Sequence, residues 1–481
     1  MKKLSKNEKY LISIIFLFMI ILTLLTQFEG TTDIKDYANV AKFFSGDLSS
    51  KIRTSHSYLF GFLQFPFVLL TKTFISFKLT SLIFLFLIVL SVYYISGKDK
   101  KALWLMLLSP IVWYIAPWIS PIQLSSLLFL WAFYFMKKFH ENEKISNLFY
   151  SGTLIGLGWA LWGSILFFGI FLGISFLYNK KFYHSIYFIF FVFIGLLPRM
   201  ILDQFLFGFP LYTIIRHIIA VISFSLLGGF YNQGSDFNLI NIILILIFIP
   251  FYSYTLFTKK NFKKDIKTNI FIILSFLLII ANPQIRLTLI VIPILIISLI
   301  KNIDKKRFAF QIAFFLIISL LLINPYLIQI KYETNATDFG ALIKNFPNIL
   351  INEPTNKIIS QDLSKISTKY PNQIFVVGNT DDKYADLAFI YWGGDINEFV
   401  SMQDYQLYLN NEPTLQEQSF CTHSKISNRR DFCLSMTLRK SFNDQTDYSS
   451  IRYAISNEET LNLEGFEIKE SFKILKVFEK L

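Results

Sequence analysis

Long apolar runs alternate with short polar ones over the first two thirds of the chain. Runs at 10–26, 77–96, 102–116, 120–136, 147–163, 165–179, 184–206, 237–257, 268–282, 285–300 and 308–328 each predict a helix. Most have the length and polarity of segments that cross a hydrocarbon core of about 30 Å, although several are short for it. The fold class expected is a polytopic α-helical membrane protein of about eleven spans, occupying 1–330. Two stretches in 27–76 read differently. From Asp33 to Phe44 the pattern is amphipathic, with Tyr37, Val40, Ala41 and Phe44 at helical spacing. Tyr58 to Leu70 is apolar but short and contains Pro66, so it predicts a helix lying in the interface. The first run follows Lys2, Lys3, Lys6 and Lys9, and no small-residue cleavage site comes after it. It is expected to be a retained anchor and not a signal peptide.

From about 331 the long apolar runs stop. Gln373–Val377, 450–455 and 472–478 predict strands, and 381–391 a helix. A soluble α/β domain is therefore expected over 331–481. Asn335-Ala336-Thr337 is a glycosylation sequon, of use only in a host that glycosylates outside proteins. Cys421 and Cys433 lie in this domain. They read equally as a disulfide in an oxidising compartment or as two thiols, and their spacing does not suggest a metal site.

Composition agrees with a membrane setting: 53% of residues are hydrophobic, 18% aromatic, and mean hydropathy is +0.48. The net charge of +13 raises nucleic-acid binding, but the basic residues do not form one patch. They fall on alternate loops: Lys98 to Lys101, Lys137-Lys138, Lys180-Lys181, 259–267 and Lys301 to Arg307. That is the positive-inside pattern. The other loops then face outward, and they carry Asp33, Asp36, Arg53, His56, Asp203 and Arg286. An extracytoplasmic site and an extracytoplasmic C-terminal domain follow as expectations. Counting 58–70 as a span would invert the next loops.

Each of these residues has a chemical and a structural reading. Asp33 and Asp36, at the start of an amphipathic helix, supply either a general base or a capping arrangement that suits the helix dipole. Arg286 and Arg199 sit at an outer boundary, where an Arg holds a lipid phosphate bidentately or anchors in the interface, and Arg286 could instead form an ion pair with Asp203. Arg199 is also one helical turn from Asp203 and could pair with it. Arg53 and His56 hold phosphate or sugar hydroxyls, or contact headgroups. Arg216 and His217 carry the same ambiguity with less support. Tyr37 orients the site or simply sits in the interface. Trp113, Trp118, Trp159 and Trp162 mark an aromatic belt.

Asp33, Tyr37, Ala41 and Gly46 reproduce the spacing of an Asp, any three, Tyr, any three, Ala, then Gly. In this, residues 32–63 resemble the first outer loop of the GT-C glycosyltransferases. Thr32-Asp33 with Asp36-Tyr37 is similar to the loop of the GPI mannosyltransferases. Ile34 stands where many members have a second acid, which weakens a metal-binding acidic pair. Leu108-Ser109-Pro110-Ile111 and the turn Trp118 to Gln123 resemble the third and fourth spans, with Gln123 where an acid is frequent. Pro198 to Asp203 with Phe207-Gly208-Phe209-Pro210 is similar to a segment of the dolichyl-phosphate-mannose-dependent mannosyltransferases. Asn282 to Leu287 ahead of Pro293 resembles a motif of theirs of which only Arg286 is kept.

The resemblance implies a donor that is a polyprenyl- or dolichyl-phosphate sugar, mannose being favoured. Asp33 would be the catalytic base, Asp36 the second acid, and transfer would invert the anomeric carbon. Arg286, Arg53, His56, Tyr37, Arg199, Asp203 and Gln123 would contact donor phosphate or sugar. A phosphate leaving group is already a stable anion, so no strong general acid is required, and a lipid-monophosphate donor reduces the need for a divalent metal: no metal or other cofactor is expected. Partners would be membrane lipids and a glycolipid, glycan or protein acceptor, with no nucleic acid. Two rivals remain: a lipid or solute transporter without covalent chemistry, and a non-catalytic relative. Few charges in mid-span and no paired broken helices argue against a transporter.

Overall fold

The computed structural model describes residues 4–25, 34–46, 52–53, 58–71, 75–116, 118–178, 180–215, 218, 245–281, 285–328, 355–371, 373–377, 399–411, 439–440, 448–461 and 463–481. It is mostly helical, with a small sheet toward the C-terminus. The helices are α1 (Lys6–Leu25), α2 (Ile34–Phe44), α3 (Leu59–Thr71), α4 (Ile75–Ile95), α5 (Lys100–Leu107), α6 (Pro110–Ile115), α7 (Ile122–Asn142), α8 (Ile145–Leu161), α9 (Ile165–Leu177) and α10 (Phe182–Phe207). Then come α11 (Lys259–Lys264), α12 (Ile266–Ala281), α13 (Thr288–Leu299), α14 (Lys305–Ile328), α15 (Thr355–Lys369) and α16 (Met402–Leu409). By length and composition, Ser76–Ile95 and Phe182–Phe207 are long and apolar enough to cross a membrane; Ile165–Leu177, Ile266–Ile280 and Ile285–Leu299 are apolar but shorter.

The expected run 102–116 is not one helix. Ser109 precedes Pro110 and takes an extended ψ of 131°, because the proline ring disfavours helical geometry in the residue before it. Pro110 then opens α6 at the first helical position, where a missing N–H costs nothing. The run 285–300 begins as a 3-10 turn, Ile285–Leu287, before α13. Of 237–257, the described part is helical at 245–248 and 3-10 over Phe251–Phe257. The stretch 58–70, expected to lie in the interface, is helical as α3, with Pro66 inside it.

α13 is apolar on every side because it is buried on every side: Ile292, Ile294, Leu295 and Ile296 have no exposed surface. It packs against α4, α5 and α7. α10 is built the other way round. Its inward stripe carries His184, Gly195, Arg199 and Asp203, while Phe182, Ile189, Phe190 and Phe205 face out, Phe205 being 81% exposed. Glycines let α8 approach α10 until the backbones touch. A Cβ on Gly156 would lie 2.0 Å from the Val192 carbonyl oxygen, and one on Gly195 would lie 2.1 Å from that of Thr153. Gly152 and Gly156, one turn apart, form a small-residue face of the kind used between helices in lipid.

The C-terminal sheet runs in the order β3 (Phe399–Ser401), β2 (Phe375–Val377), β5 (Tyr453–Ser456), β7 (Lys476–Lys480), β6 (Phe466–Ser471). β2 is parallel to β3 and β5; β7 is antiparallel to β5 and β6. Alternation along the strands serves both faces. Phe375, Val377, Ile455 and Val477 pack with Leu363 and Ile366 of α15, while Val376, Ala454 and Phe478 pack with Tyr405 of α16. The expected strand 450–455 is seen as β5. The expected strand 472–478 is displaced: its place is divided between the turn after β6 and β7. The expected helix at 381–391, both cysteines and the sequon lie outside the described residues. A two-residue ladder pairs β1 (Ile52–Arg53) with β4 (Arg439–Lys440), joining the first loop to the C-terminal part.

Gly195→Leu should lower the thermal unfolding midpoint of the detergent-purified protein, since no rotamer avoids a backbone carbonyl; the cost expected is about 1–3 kcal/mol or more. An unchanged melting curve would show that the two helices are not in backbone contact.

Candidate functional site

The amphipathic helix from the first loop is docked by a glycine. A Cβ on Gly61 of α3 would lie 2.4 Å from the Tyr37 carbonyl oxygen and 2.7 Å from Val40 Cβ, so α2 rests directly on α3. Tyr37 is buried, its ring edge-on to Phe60 with 5.3 Å between centroids. α2 starts at Ile34, the residue after Asp33, and Asp36 lies in its first turn. Asp33, His56, Arg216 and His217, and the side chains of Asp36 and Arg53, lie outside the described residues.

Tyr37 belongs to a cluster that gathers Phe60, Phe77 at the start of α4, Ile119, Trp159 and Leu161 at the end of α8, and Leu196 of α10. These are all the same end of the bundle. Gln123 is there, fully buried in the first turn of α7. Its Nε2 donates to the carbonyl oxygens of Trp118 (3.0 Å) and Ile115 (3.4 Å). This amide closes the turn, which a carboxylate could not do because it has nothing to donate. Gln123 Oε1 is buried without a hydrogen bond among the described residues. Arg286 lies in the 3-10 turn before α13, half-buried, with its guanidinium 6.0 Å from the centre of the Trp162 ring. A planar cation on indole is the geometry of a cation–π contact.

Arg199 and Asp203 are brought together, but not as a direct ion pair. Both are buried. Gly208 ends α10 in the left-handed conformation (φ +70°), and the chain turns back so that Thr213 faces Asp203. Thr213 N–H donates to Asp203 Oδ2 (2.9 Å), and its hydroxyl lies 2.8 and 2.9 Å from the two carboxylate oxygens. Arg199 Nε donates to that same Thr213 oxygen (2.9 Å). The hydroxyl thus accepts from the cation and donates to the anion. The Tyr58 hydroxyl lies against Asp203 Oδ1 and 3.1 Å from the Arg199 carbonyl oxygen. Four residues from α10, the segment after it and the residue before α3 make one buried latch. Arg199 Nη2 remains without a partner among the described residues.

The sequence reading did not single out Tyr58, Thr213 or Lys78. Lys78 is 5% exposed in the first turn of α4, and its ammonium donates to the Thr23 carbonyl oxygen (3.2 Å). Thr23 in turn donates to the Ala116 carbonyl oxygen (3.4 Å), one residue from the carbonyl held by Gln123. A lone Lys four positions into an apolar helix was the available sign. Among the described residues no three His, Cys, Asp or Glu side chains come together.

The sequence matches no protein-family model and no curated protein. Its likeness is to solved structures. The fold resembles that of ArnT. ArnT from Cupriavidus metallidurans in the apo state superposes with a TM-score of 0.60 at 12% identity, covering 99% of this chain and 98% of that chain. ArnT bound to undecaprenyl phosphate gives 0.58 at 11% identity, covering 99% of both chains. At that identity the likeness to ArnT is one of fold, and it takes in the C-terminal sheet as well as the helices.

Removing the Asp203 carboxylate leaves the Arg199 charge buried without its counter-charge, so Asp203→Ala should cost about 3–5 kcal/mol. Adding Arg199→Leu should recover about 0.5–3 kcal/mol of that loss. Thermal unfolding of the two single variants and the double variant measures this coupling; simple additivity would show that Thr213 does not link them.

Proposed function

We propose that the chain is a multi-pass membrane glycosyltransferase that takes its sugar from a polyprenyl-phosphate carrier. The observation that carries this reading is fold likeness over the full length to ArnT, a GT-C enzyme, one of whose structures is bound to undecaprenyl phosphate. The outward apolar face of α10, with its polar groups turned inward, suits a lipid surround. About eleven spans fit the apolar runs, the shorter helices lying where the bilayer thins around them or where flanking polar side chains snorkel to the interface. The domain division at about 330, the extracytoplasmic placement of the site and the extracytoplasmic C-terminal domain belong to the same proposal.

The chemistry follows from the groups at the Tyr37 end. Asp33, just ahead of α2, accepts the proton of an acceptor hydroxyl. The freed oxygen forms a bond to the anomeric carbon as the bond from that carbon to the carrier phosphate breaks on the opposite face, which inverts the centre. The electron pair leaves on the phosphate oxygen. Arg286 and Lys78 supply positive charge for that phosphate. Arg53 and His56, in the loop that Asp33 opens, bind sugar or phosphate, and Asp36, in the first turn of α2, is the second acid. Tyr37 positions the loop through its contact with Phe60. Gln123, Arg199 and Asp203 shape the site from behind: the first braces the turn at Trp118, the other two latch α3 to α10. The sugar is a hexose, mannose by family resemblance, and the acceptor is a glycolipid, glycan or protein hydroxyl. Dolichyl carriers are the other form of the same donor class.

In membranes supplied with a panel of radiolabelled polyprenyl-phosphate sugars, the wild-type chain should transfer label to an acceptor. Asp33→Asn should reduce that rate by about 10²–10⁴-fold with normal folding, and Arg286→Ala should weaken donor binding. Full-rate transfer by the folded Asp33→Asn chain would remove the base from the mechanism. A wild-type chain that transfers no sugar but moves labelled lipid across vesicles would favour the transporter.

A further inference from the structure

The end of the bundle opposite Tyr37 and Arg286 holds a cavity of about 360 Å³. It lies between the last turn of α7, the end of α9, the corner from α11 to α12, and the end of α13. Lys137, Lys263, Lys267 and Lys301 line it, against the carboxylates of Glu141 and Asp265. Four ammonium groups face two carboxylates, so the lining is net positive.

The carboxylates do not neutralise the lysines evenly. Asp265 is committed to Lys137, 2.5 Å away. Burial works against its ionisation, but the hydrogen bond and charge of Lys137 prevail and hold its carboxyl below the ordinary value. Lys267 is held by neutral acceptors instead: its ammonium donates to the Phe176 carbonyl oxygen (3.1 Å) and lies 3.3 Å from His140 Nδ1. His140 is in the last turn of α7, beyond the apolar run. Burial, then the charges of Lys267 and Lys180, hold its imidazole below the ordinary value, so at neutral pH it accepts as an uncharged ring. Among the described residues, none of Lys263, Lys267 and Lys301 makes an ion pair. Ser298 and Asn302 add neutral hydrogen-bonding groups, and Phe133 and Leu256 add apolar wall.

A half-enclosed group of unmatched ammonium ions is stabilised by an anion entering among them. Phosphate has the charge and the acceptor oxygens to meet several lysines at once. Basic hollows between helices at a membrane boundary are suited to anionic headgroups. We propose that this cavity binds a phosphate-bearing anion at the face opposite the sugar-transfer end. An anionic phospholipid headgroup and free phosphate are the two sources of that chemistry. The proposal shares only the membrane setting with the glycosyltransferase reading and needs nothing of Asp33.

The test uses the full-length chain in nanodiscs of phosphatidylcholine containing or lacking phosphatidylglycerol. Native mass spectrometry reads the retained lipid, and a separate thermal-shift titration compares inorganic phosphate with chloride at equal ionic strength. Lys267→Gln/Lys301→Gln should weaken retention of phosphatidylglycerol about tenfold or more. Lys263→Gln alone, a single change at an exposed lysine, should weaken it less and guards against a folding defect in the double variant. Lys305→Gln, outside the cavity, should leave it unchanged. Retention lost only in the cavity variants identifies a lipid headgroup. A phosphate-specific shift lost in the same variants, without lipid retention, identifies a free anion. Equal retention and equal shifts in wild type and the double variant overturn the proposal. Asp33→Asn should leave both readouts as they are, so the cavity and the transfer reaction fail separately.

Discussion

The contact of backbone with backbone between α8 and α10 sets the position of everything at the Tyr37 end of the bundle. Gly156 and Gly195 allow it, and no larger side chain fits either position. Gly195, Arg199 and Asp203 follow at intervals of four, so the residue that permits the approach and the two that carry charge share one face of α10. Once that face is turned inward, its charges must be satisfied internally, because lipid offers no partners. Thr213 and Tyr58 do this, and in doing it they draw the chain after α10 and the start of α3 against the bundle. α3 then carries Gly61, and Gly61 seats α2. The helix that begins just after Asp33 is thus positioned by a sequence of contacts that starts at two glycines well inside the apolar region.

Much of this was legible in the sequence, and the reasons differ from element to element. Apolar periodicity located α2 as Asp33–Phe44 and the structure has Ile34–Phe44, because an amphipathic face records both its helical period and its limits. The stretch 58–70 is seen as the helix α3, and the runs 120–136, 147–163 and 165–179 appear as α7, α8 and α9. Composition could not find the break at Ser109, since both sides of it are equally apolar; only the proline marks it. Nor could it find Thr213. A threonine ten residues past Asp203 looks like an ordinary loop residue until the left-handed Gly208 turns the chain back. Lys78 was hidden in the same way, inside a run whose mean hydropathy one lysine hardly lowers. In the C-terminal part, β6 alternates between charged and apolar residues that are largely exposed, so no buried face announced it.

The two ends of the bundle solve different problems with the same residue types. At the basic end, Lys100 with Glu8 and Lys137 with Asp265 are only partly covered. Exposed pairs of this sort add little to stability, since water competes and side-chain entropy opposes them. Their value is in topology: loops dense in Lys stay on one side of a bilayer. At the other end Arg199 and Asp203 are buried and hydrogen-bonded to a neutral hydroxyl. There each group costs a great deal to bury and must keep its partners.

That difference bears on where chemistry is feasible. A donor phosphate needs cations that are held in place and shielded from bulk water, because only then does their charge act at full strength on a developing anion. Lys78 meets this condition, its ammonium buried and fixed by the Thr23 carbonyl oxygen, while Arg286 is half-buried and held against the Trp162 ring. Arg199, by contrast, sends its Nε to a hydroxyl already engaged with Asp203, and its field is largely cancelled before it reaches any cavity. Two arginines that look equivalent in the sequence, each near the end of an apolar run, therefore have different capacities. The one beside the indole lies half-buried at an aromatic face, and the one in the latch is buried on a hydroxyl that it shares with Asp203.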